Sequence, residues 1–138
     1  MIQDTHIYYK SGYKHQLVAS YRFVTRLRPD YDILTPYISL TTEGQGTLRG
    51  GYAWDGATGV PDTRKVLRGS AKHDGLYQLI RLGLLPISAK AIADAEFRAD
   101  CLQDRMDALL AWAYWRGVVV FGGASIASGS EPVVLCAP

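Results

Sequence analysis

The stretch GSAKHDGLYQLIRLG, residues 69–83, decides the fold because it combines a helical pattern of apolar residues with an adjacent histidine and aspartate. Residues three and four apart share one face of a helix, and the wider segment 63–83 has this spacing. Gly83 is predicted to be the C-cap that ends the helix. The predicted buried stripe consists of Val66, Leu67, His73, Leu76, Tyr77 and Ile80.

A second helix is predicted over 89–115, AKAIADAEFRADCLQDRMDALLAWAYW, with Ser88 as its N-cap. The short connector LLPI between the two helices predicts that they pack antiparallel. The buried stripe of this second helix is expected to contain Phe97, Cys101 or Leu102, Leu109 and Trp112.

Polar residues interrupt both predicted stripes, and antiparallel packing would bring His73, Tyr77 and Asp94 to one seam. A buried carboxylate is costly unless it accepts hydrogen bonds, and a histidine N–H and a tyrosine hydroxyl would satisfy it. The same arrangement leaves the second ring nitrogen of His73 free to take a proton, as in a general base oriented by a carboxylate. A purely structural hydrogen bond between the helices explains the same residues, so both interpretations stay open.

The first half of the chain reads as β-structure. The segments 16–27, 35–42 and 47–56 are rich in β-branched and aromatic residues and are separated by turn compositions, so an antiparallel sheet or meander is expected over about 5–54. The whole chain, 1–138, is predicted to be a single α+β domain. A Gly-rich loop is assigned to 55–62, helices to 63–121, and an irregular tail to 122–138. The apolar stretch 108–127 is interpreted as a buried helix end and loop, because Arg116 and glycines interrupt it.

Asp74 follows His73 and therefore points about 100° away from it on a helix. It is expected to face the Gly-rich segment that precedes the helix. Hard cations such as Ca²⁺ bind carbonyl and carboxylate oxygens, so Asp74, Asp55, Gly56 and Gly59 are candidate ligands. A plain turn or a phosphate cradle remains an alternative for the loop, although it lacks the P-loop and dinucleotide patterns.

The order of these motifs resembles the phospholipase A2 superfamily. The matching stretches are DGATGVPD (55–62), HDGLY (73–77) and ADAEF (93–97). They are similar to the phospholipase segment of parvoviral capsid proteins and to bacterial phospholipases of this type. The run over about 20–125 also resembles a family without an assigned activity that is common in tailed-phage and prophage genomes. That family has the pattern Asp-Gly-x-Ser-x-Pro, His-Asp-x-Leu-Tyr, Ala-Asp-x-x-Phe.

The resemblance implies a role for each matched residue. His73 corresponds to the general base that activates water, Asp94 to its orienting partner, and Tyr77 to the tyrosine that bonds this aspartate. Asp74 corresponds to the calcium-binding carboxylate, and the carbonyls between Asp55 and Gly59 fall where the calcium loop lies. The implied fold is a phospholipase A2-like antiparallel helix pair, and the implied cofactor is Ca²⁺, which stabilises the oxyanion of the ester.

Two main functions are therefore predicted. The first is a phage-encoded, calcium-dependent hydrolase of phospholipid esters that acts during entry or lysis, with Trp112–Phe121 as an interfacial surface. The second is a non-catalytic virion or host-interaction protein that keeps the helix pair as a scaffold. A His-Asp phosphohydrolase is disfavoured, because it needs two more metal-binding histidines in helices and His6 and His15 lie in the strand region.

Composition limits the partners and the location. Net charge is +2, which gives no support for a nucleic-acid partner, and 48% of the residues are hydrophobic, which is typical of a folded domain. The expected partners are a phospholipid membrane or other phage or host proteins. The two cysteines are expected to be free thiols, and neither a signal peptide nor a transmembrane helix is predicted. The host cytoplasm or the virion is the expected location.

Overall fold

Antiparallel strands build the first part of the chain and three helices build the second, in a computed structural model that describes residues 1–10, 15–56 and 63–128. This arrangement confirms the predicted α+β class. The chain groups into unit 1, which contains Met1–Asp55, and unit 2, which is Gly56–Ser130. A single domain over 1–138 stays a prediction.

Unit 1 contains two antiparallel sheets in place of the one meander expected. The first has the strand order β1-β2-β7, and the second has the order β3-β6-β5-β4, in which only β4, β5 and β6 follow one another as a meander. The strands are β1 (Tyr9–Lys10), β2 (His15–Leu17), β3 (Tyr21–Val24), β4 (Ile33–Leu34), β5 (Ile38–Leu40), β6 (Gln45–Leu48) and β7 (Ala53–Trp54).

The predicted strands 16–27 and 47–56 are each divided between the two sheets. A bend at 18–19 separates β2 from β3, and a turn closed by the bond from Tyr52 N to Arg49 O separates β6 from β7. Gly51 takes a φ of 98° in this turn, a conformation that favours glycine. The two segments pass from one sheet to the other next to each other, and a hydrogen bond from Gly51 N to Leu17 O joins them there. Alternation along one strand carries no signal for such a change.

The core of unit 1 comes from the inward-facing residues of these short strands. Phe23 lies opposite Gly46 in the β3–β6 register, and its ring occupies the space that a Cβ at Gly46 would need. The largest fully buried side chains of the unit are Leu17, Tyr21, Phe23, Ile38, Leu40, Leu48, Tyr52 and Trp54.

Unit 2 begins with α1, Arg64–Arg81, which confirms the first predicted helix. All six residues of its predicted stripe are buried. Gly83 has a φ of 76°, and the helix ends with bonds from Gly83 N to Ile80 O and from Leu84 N to Leu79 O. This pair of bonds is a Schellman motif, so the predicted C-cap role of Gly83 is confirmed.

The second predicted helix is wrong in its length, because the structure has two helices there. They are α2, Ala89–Gln103, and α3, Ala108–Ser128. Arg105 takes a φ of 71°, Arg105 N bonds Leu102 O, and Met106 N bonds Cys101 O, so α2 also ends in a Schellman motif. Arginine rarely adopts this conformation, and burial of the Met106 side chain holds the chain in it.

The ends of α2 and α3 differ from the expected caps. Ser88 precedes α2 in a helical conformation and makes no side-chain cap bond. Asp107 instead caps α3, because its Oδ2 accepts from the amides of Leu109 and Leu110 at 3.1 and 3.4 Å. The expected stripe is confirmed at Phe97 and at Cys101, which is buried where its alternative Leu102 is exposed. It is wrong at Leu109 and Trp112, which are exposed.

The stretch 108–127 is wholly helical, so its interpretation as a helix end and loop is wrong, and so is the irregular tail as far as Ser128. The three helices pack through a core of Val66, Phe97, Cys101, Met106, Ala111, Tyr114 and Val118. By length and composition alone, Ala108–Ile126 is long and apolar enough to cross a membrane. The core helix of a soluble protein passes the same test, so the location of the chain stays a prediction.

Candidate functional site

The predicted seam between the first two helices exists. His73 and Tyr77, one turn apart on α1, both contact Asp94 on α2. The His73 Nε2 atom lies 2.7 Å from Asp94 Oδ1, and the Tyr77 hydroxyl donates to the same oxygen at 2.5 Å. All three residues are at most 2% exposed. Arg68 pairs with Asp104 and Tyr77 with Asp94, so residue numbers run in opposite directions along the two helices, as predicted.

Asp94 has a further partner that the sequence reasoning missed. Lys90 Nζ donates to Asp94 Oδ2 at 2.7 Å and to the carbonyl oxygen of Val119 on α3 at 3.2 Å. Both carboxylate oxygens of Asp94 therefore accept hydrogen bonds, and α3 is tied to the same site. Lys90 and Asp94 are four residues apart on α2, so the i,i+4 spacing of opposite charges was the available signal.

The charge of Asp94 is stabilised despite its burial. Burial raises the pKa of this carboxyl group, but hydrogen bonds from His73, Lys90 and Tyr77 together lower the pKa below its ordinary value. Burial, and then the bond to Asp94, raises the pKa of Tyr77 far above that of a free tyrosine, so its hydroxyl stays a donor. Asp94 is thus an anion, so its carboxylate oxygens accept hydrogen bonds and donate none.

The anionic partner selects the tautomer of His73. Because Asp94 can only accept hydrogen bonds, Nε2 of His73 carries a proton, and the neutral ring then has its lone pair on Nδ1. The imidazole ring is held between Tyr77 and Phe97, with ring centroids 4.1 and 5.2 Å away. A fixed ring with an available Nδ1 lone pair is able to accept a proton from water.

α3 approaches the tyrosine of the site closely at Gly122. A Cβ at this position would lie 2.2 Å from the Tyr77 hydroxyl oxygen, nearer than any side chain tolerates. Gly122 thus leaves the space in which Tyr77 reaches Asp94. Neither the helical periodicity of α1 nor that of α2 indicates this contact, because α3 was not predicted as a separate helix.

Beside the seam, α1 and α2 are joined by an ionic cluster, which we define as buried Arg68, Lys72, Glu96 and Asp100 together with half-buried Asp104. Arg68 Nε lies 2.9 Å from Asp104 Oδ2, and Lys72 Nζ lies 3.2 Å from Glu96 Oε1. Burial raises the pKa of Asp100, while Lys72 and Arg68 oppose this rise. Burial also raises the pKa of Cys101, to about 12, so this thiol is not a nucleophile at neutral pH.

The predicted metal ligands are only partly within the described residues. Asp74 is half-buried on α1, Asp55 is exposed in unit 1, Gly56 begins unit 2, and Gly59 lies outside the described residues. Across 1–10, 15–56 and 63–128, no group of three or more His, Cys, Asp or Glu side chains is arranged to hold a metal ion. A calcium site that depends on carbonyl oxygens of 57–62 stays a prediction.

Known proteins give no further guide to the site. Comparison with family models, with curated proteins and with solved structures found no match. The interpretation of the site therefore depends on its own geometry.

Proposed function

We propose that the chain hydrolyses a phospholipid ester, with His73 as the general base and Asp94 and Tyr77 as the residues that position it. The observation that carries this proposal is the 2.7 Å contact between His73 Nε2 and an anionic Asp94, which directs the Nδ1 lone pair away from the carboxylate. A structural hydrogen bond between the helices requires this contact, but it does not require His73 Nδ1 to act as a base. The phage origin of the chain belongs to the same proposal.

The proposed reaction needs no covalent intermediate. His73 Nδ1 takes a proton from a water molecule, whose oxygen attacks the ester carbonyl carbon. The carbon–oxygen bond to the leaving alcohol then breaks, and that oxygen takes the proton back from His73. Asp94 stabilises the imidazolium formed in between, and Tyr77 keeps the carboxylate in place. A bound Ca²⁺ would supply a positive charge to the ester oxygen, with Asp74, Asp55, Gly56 and Gly59 as its proposed ligands.

The test measures fatty-acid release from phospholipid vesicles at several calcium concentrations and in EDTA. His73→Asn is expected to lower the rate by about 10²–10⁴-fold, because the base is removed. The matched control is His6→Asn, at an exposed histidine of unit 1, which should keep the rate of the unmodified protein. Absence of release by the folded protein at every calcium concentration would refute the proposal, and so would full activity of His73→Asn.

A non-catalytic role is the second candidate, and the position of Lys90 favours it. Lys90 neutralises Asp94, which weakens the pull of the carboxylate on a histidine proton and completes the bonding that a structural tie requires. In this case the chain is a virion or host-interaction protein. His73→Asn would then lower the free energy of unfolding while no lipid ester is hydrolysed by any variant.

A further inference from the structure

The side of α3 that faces away from α1 and α2 is almost entirely apolar. We call this side the outer face, and it comprises Leu109, Leu110, Trp112, Arg116, Val120 and Phe121, all of which are exposed. Leu109 is 74% exposed, Val120 57% and Phe121 54%. A surface helix of a soluble protein ordinarily presents polar residues on this side. Contiguous exposed apolar residues of this extent indicate a surface that binds something.

The inner side of α3 is occupied by the rest of unit 2. Tyr114 and Val118 are buried in the core, Gly122 lies against Tyr77, and Val119 O accepts from Lys90. Of the segment Ala108–Ile126, 28% is buried, so most of this helix is at the surface of the protein. Because one side of the helix is committed to α1 and α2, only the outer face is available to a partner outside unit 2.

The charge on the outer face of α3 is basic, whereas an acidic residue, Asp107, lies at the N-terminal end of the helix. The helix itself has no acidic residue, and Arg116 is the charged residue in its sequence. Arg98 lies over the Trp115 ring at 5.6 Å, Lys90 reaches Val119, and Arg81 Nη1 reaches Ser125 at 3.3 Å. An apolar face that carries both tryptophan and arginine, here Trp112 and Arg116, is typical of helices that lie in the interface of anionic membranes.

We propose that the outer face of α3 binds the surface of an anionic lipid bilayer, with Trp112, Val120 and Phe121 in the acyl boundary and Arg116 at the head groups. Val120 and Phe121 lie between Val119 and Gly122, which contact the partners of Asp94 from the other side of the same helical turn. The lipid surface is thus separated from the histidine site by one helix. The idea that this surface brings a lipid hydrolase to its substrate rests on the proposed function. Lipid binding by the outer face does not itself require catalysis.

The test is co-sedimentation with phosphatidylcholine vesicles with and without phosphatidylglycerol, in EDTA, where calcium-dependent hydrolysis does not run. The unmodified protein should bind the anionic vesicles, and added salt should weaken binding. The double variant Val120→Ser/Phe121→Ser should bind at least about tenfold more weakly, because each side chain loses its transfer from water. The matched control is Tyr31→Ser/Leu34→Ser, at residues of unit 1 that are 80% and 79% exposed, which should bind as the unmodified protein does.

Circular dichroism establishes that both double variants are folded, and their substitutions are at exposed positions. Equal binding by Val120→Ser/Phe121→Ser and the unmodified protein overturns the proposal, as does equal binding to neutral and anionic vesicles. If no vesicle is bound and light scattering shows a dimer that this variant abolishes, the outer face binds a second copy and the lipid proposal is wrong. Binding to anionic vesicles without ester hydrolysis after calcium is added supports the lipid surface and refutes the proposed function.

Discussion

At the scale of single residues, Asp94 is the group on which the seam depends. It accepts from His73 and Tyr77 on one oxygen and from Lys90 on the other, while its side chain is 1% exposed. Removing one partner from a buried charge pair leaves the remaining charge without compensation. The seam therefore combines a function in positioning His73 with a large contribution to stability.

Asp94→Asn is expected to lower the free energy of unfolding by about 3 kcal/mol at neutral pH, because Lys90 loses its counter-charge in a mostly buried site. Urea denaturation followed by circular dichroism measures the change. The control is Asp30→Asn, at an exposed aspartate, for which a change below about 0.5 kcal/mol is expected. If the two substitutions have the same small effect, the seam does not hold an anionic carboxylate.

The dependence of stability on pH should separate Asp94 from Asp100. The folded-state pKa of Asp94 is lowered from 3.8, so its contribution is complete above that value and is lost as the pH falls through the folded pKa. The pKa of Asp100 is raised, so its ionised form opposes folding at neutral pH, and protonation relieves this as the pH falls toward 3.8. The two shifts thus act in opposite directions.

Unfolding measurements between neutral pH and pH 3 test this difference. Asp100→Asn should leave the free energy of unfolding almost unchanged, or raise it, at neutral pH. Above pH 3.8 this variant should show a weaker dependence of the free energy of unfolding on pH. Asp94→Asn should remove part of the stability loss below that value. A large loss of stability in Asp100→Asn at neutral pH would show that the ion pairs with Lys72 and Arg68 outweigh the cost of burial.

At the scale of elements, the packing of α3 on α1 depends on Gly122, which has no side chain where α3 lies against Tyr77. Gly122→Ala would place a Cβ 2.2 Å from the Tyr77 hydroxyl, so the helices must separate or the bond to Asp94 must break. We expect a loss of about 1–3 kcal/mol. Gly123→Ala is the matched control, because its nearest neighbour is Lys90 Cε at 4.0 Å. This control should gain up to about 1 kcal/mol from helix propensity.

Thermal unfolding of the two variants measures the difference. Equal stability of Gly122→Ala and Gly123→Ala would mean that α3 does not approach Tyr77 closely. In Gly122→Ala, nuclear magnetic resonance of the Tyr77 hydroxyl or of the His73 ring should also change, whereas Gly123→Ala should leave both unchanged.

At the scale of the whole molecule, the prediction of one domain over 1–138 has a direct test. Trp54 is buried in unit 1, and all the described helices belong to unit 2. In the variant Trp112→Phe/Trp115→Phe, fluorescence reports Trp54 alone, while circular dichroism at 222 nm reports the helices. A single cooperative domain requires both signals to change at the same urea concentration. Separate midpoints would divide the chain into two domains.

Local patterns determined a large part of this molecule. The 3.6-residue period identified α1 and its buried side, and Gly83 marked its end because glycine favours a positive φ. Spacing along two consecutive helices was sufficient to bring His73, Tyr77 and Asp94 together, since short connections make helices antiparallel. Each of these inferences depends on residues that are close in sequence or on one simple packing rule.

Tertiary structure decided what those patterns could not. Arg105 adopts a positive φ that its own side chain disfavours, and burial of Met106 in the core stabilises the break between α2 and α3. The division of two predicted strands between sheets depends on pairing partners that are distant in sequence. Lys90 reaches both Asp94 and Val119 only because α3 returns along α2. In each case the conformation is stabilised by contacts between segments that are distant in sequence, and the periodicity of one segment does not indicate such contacts.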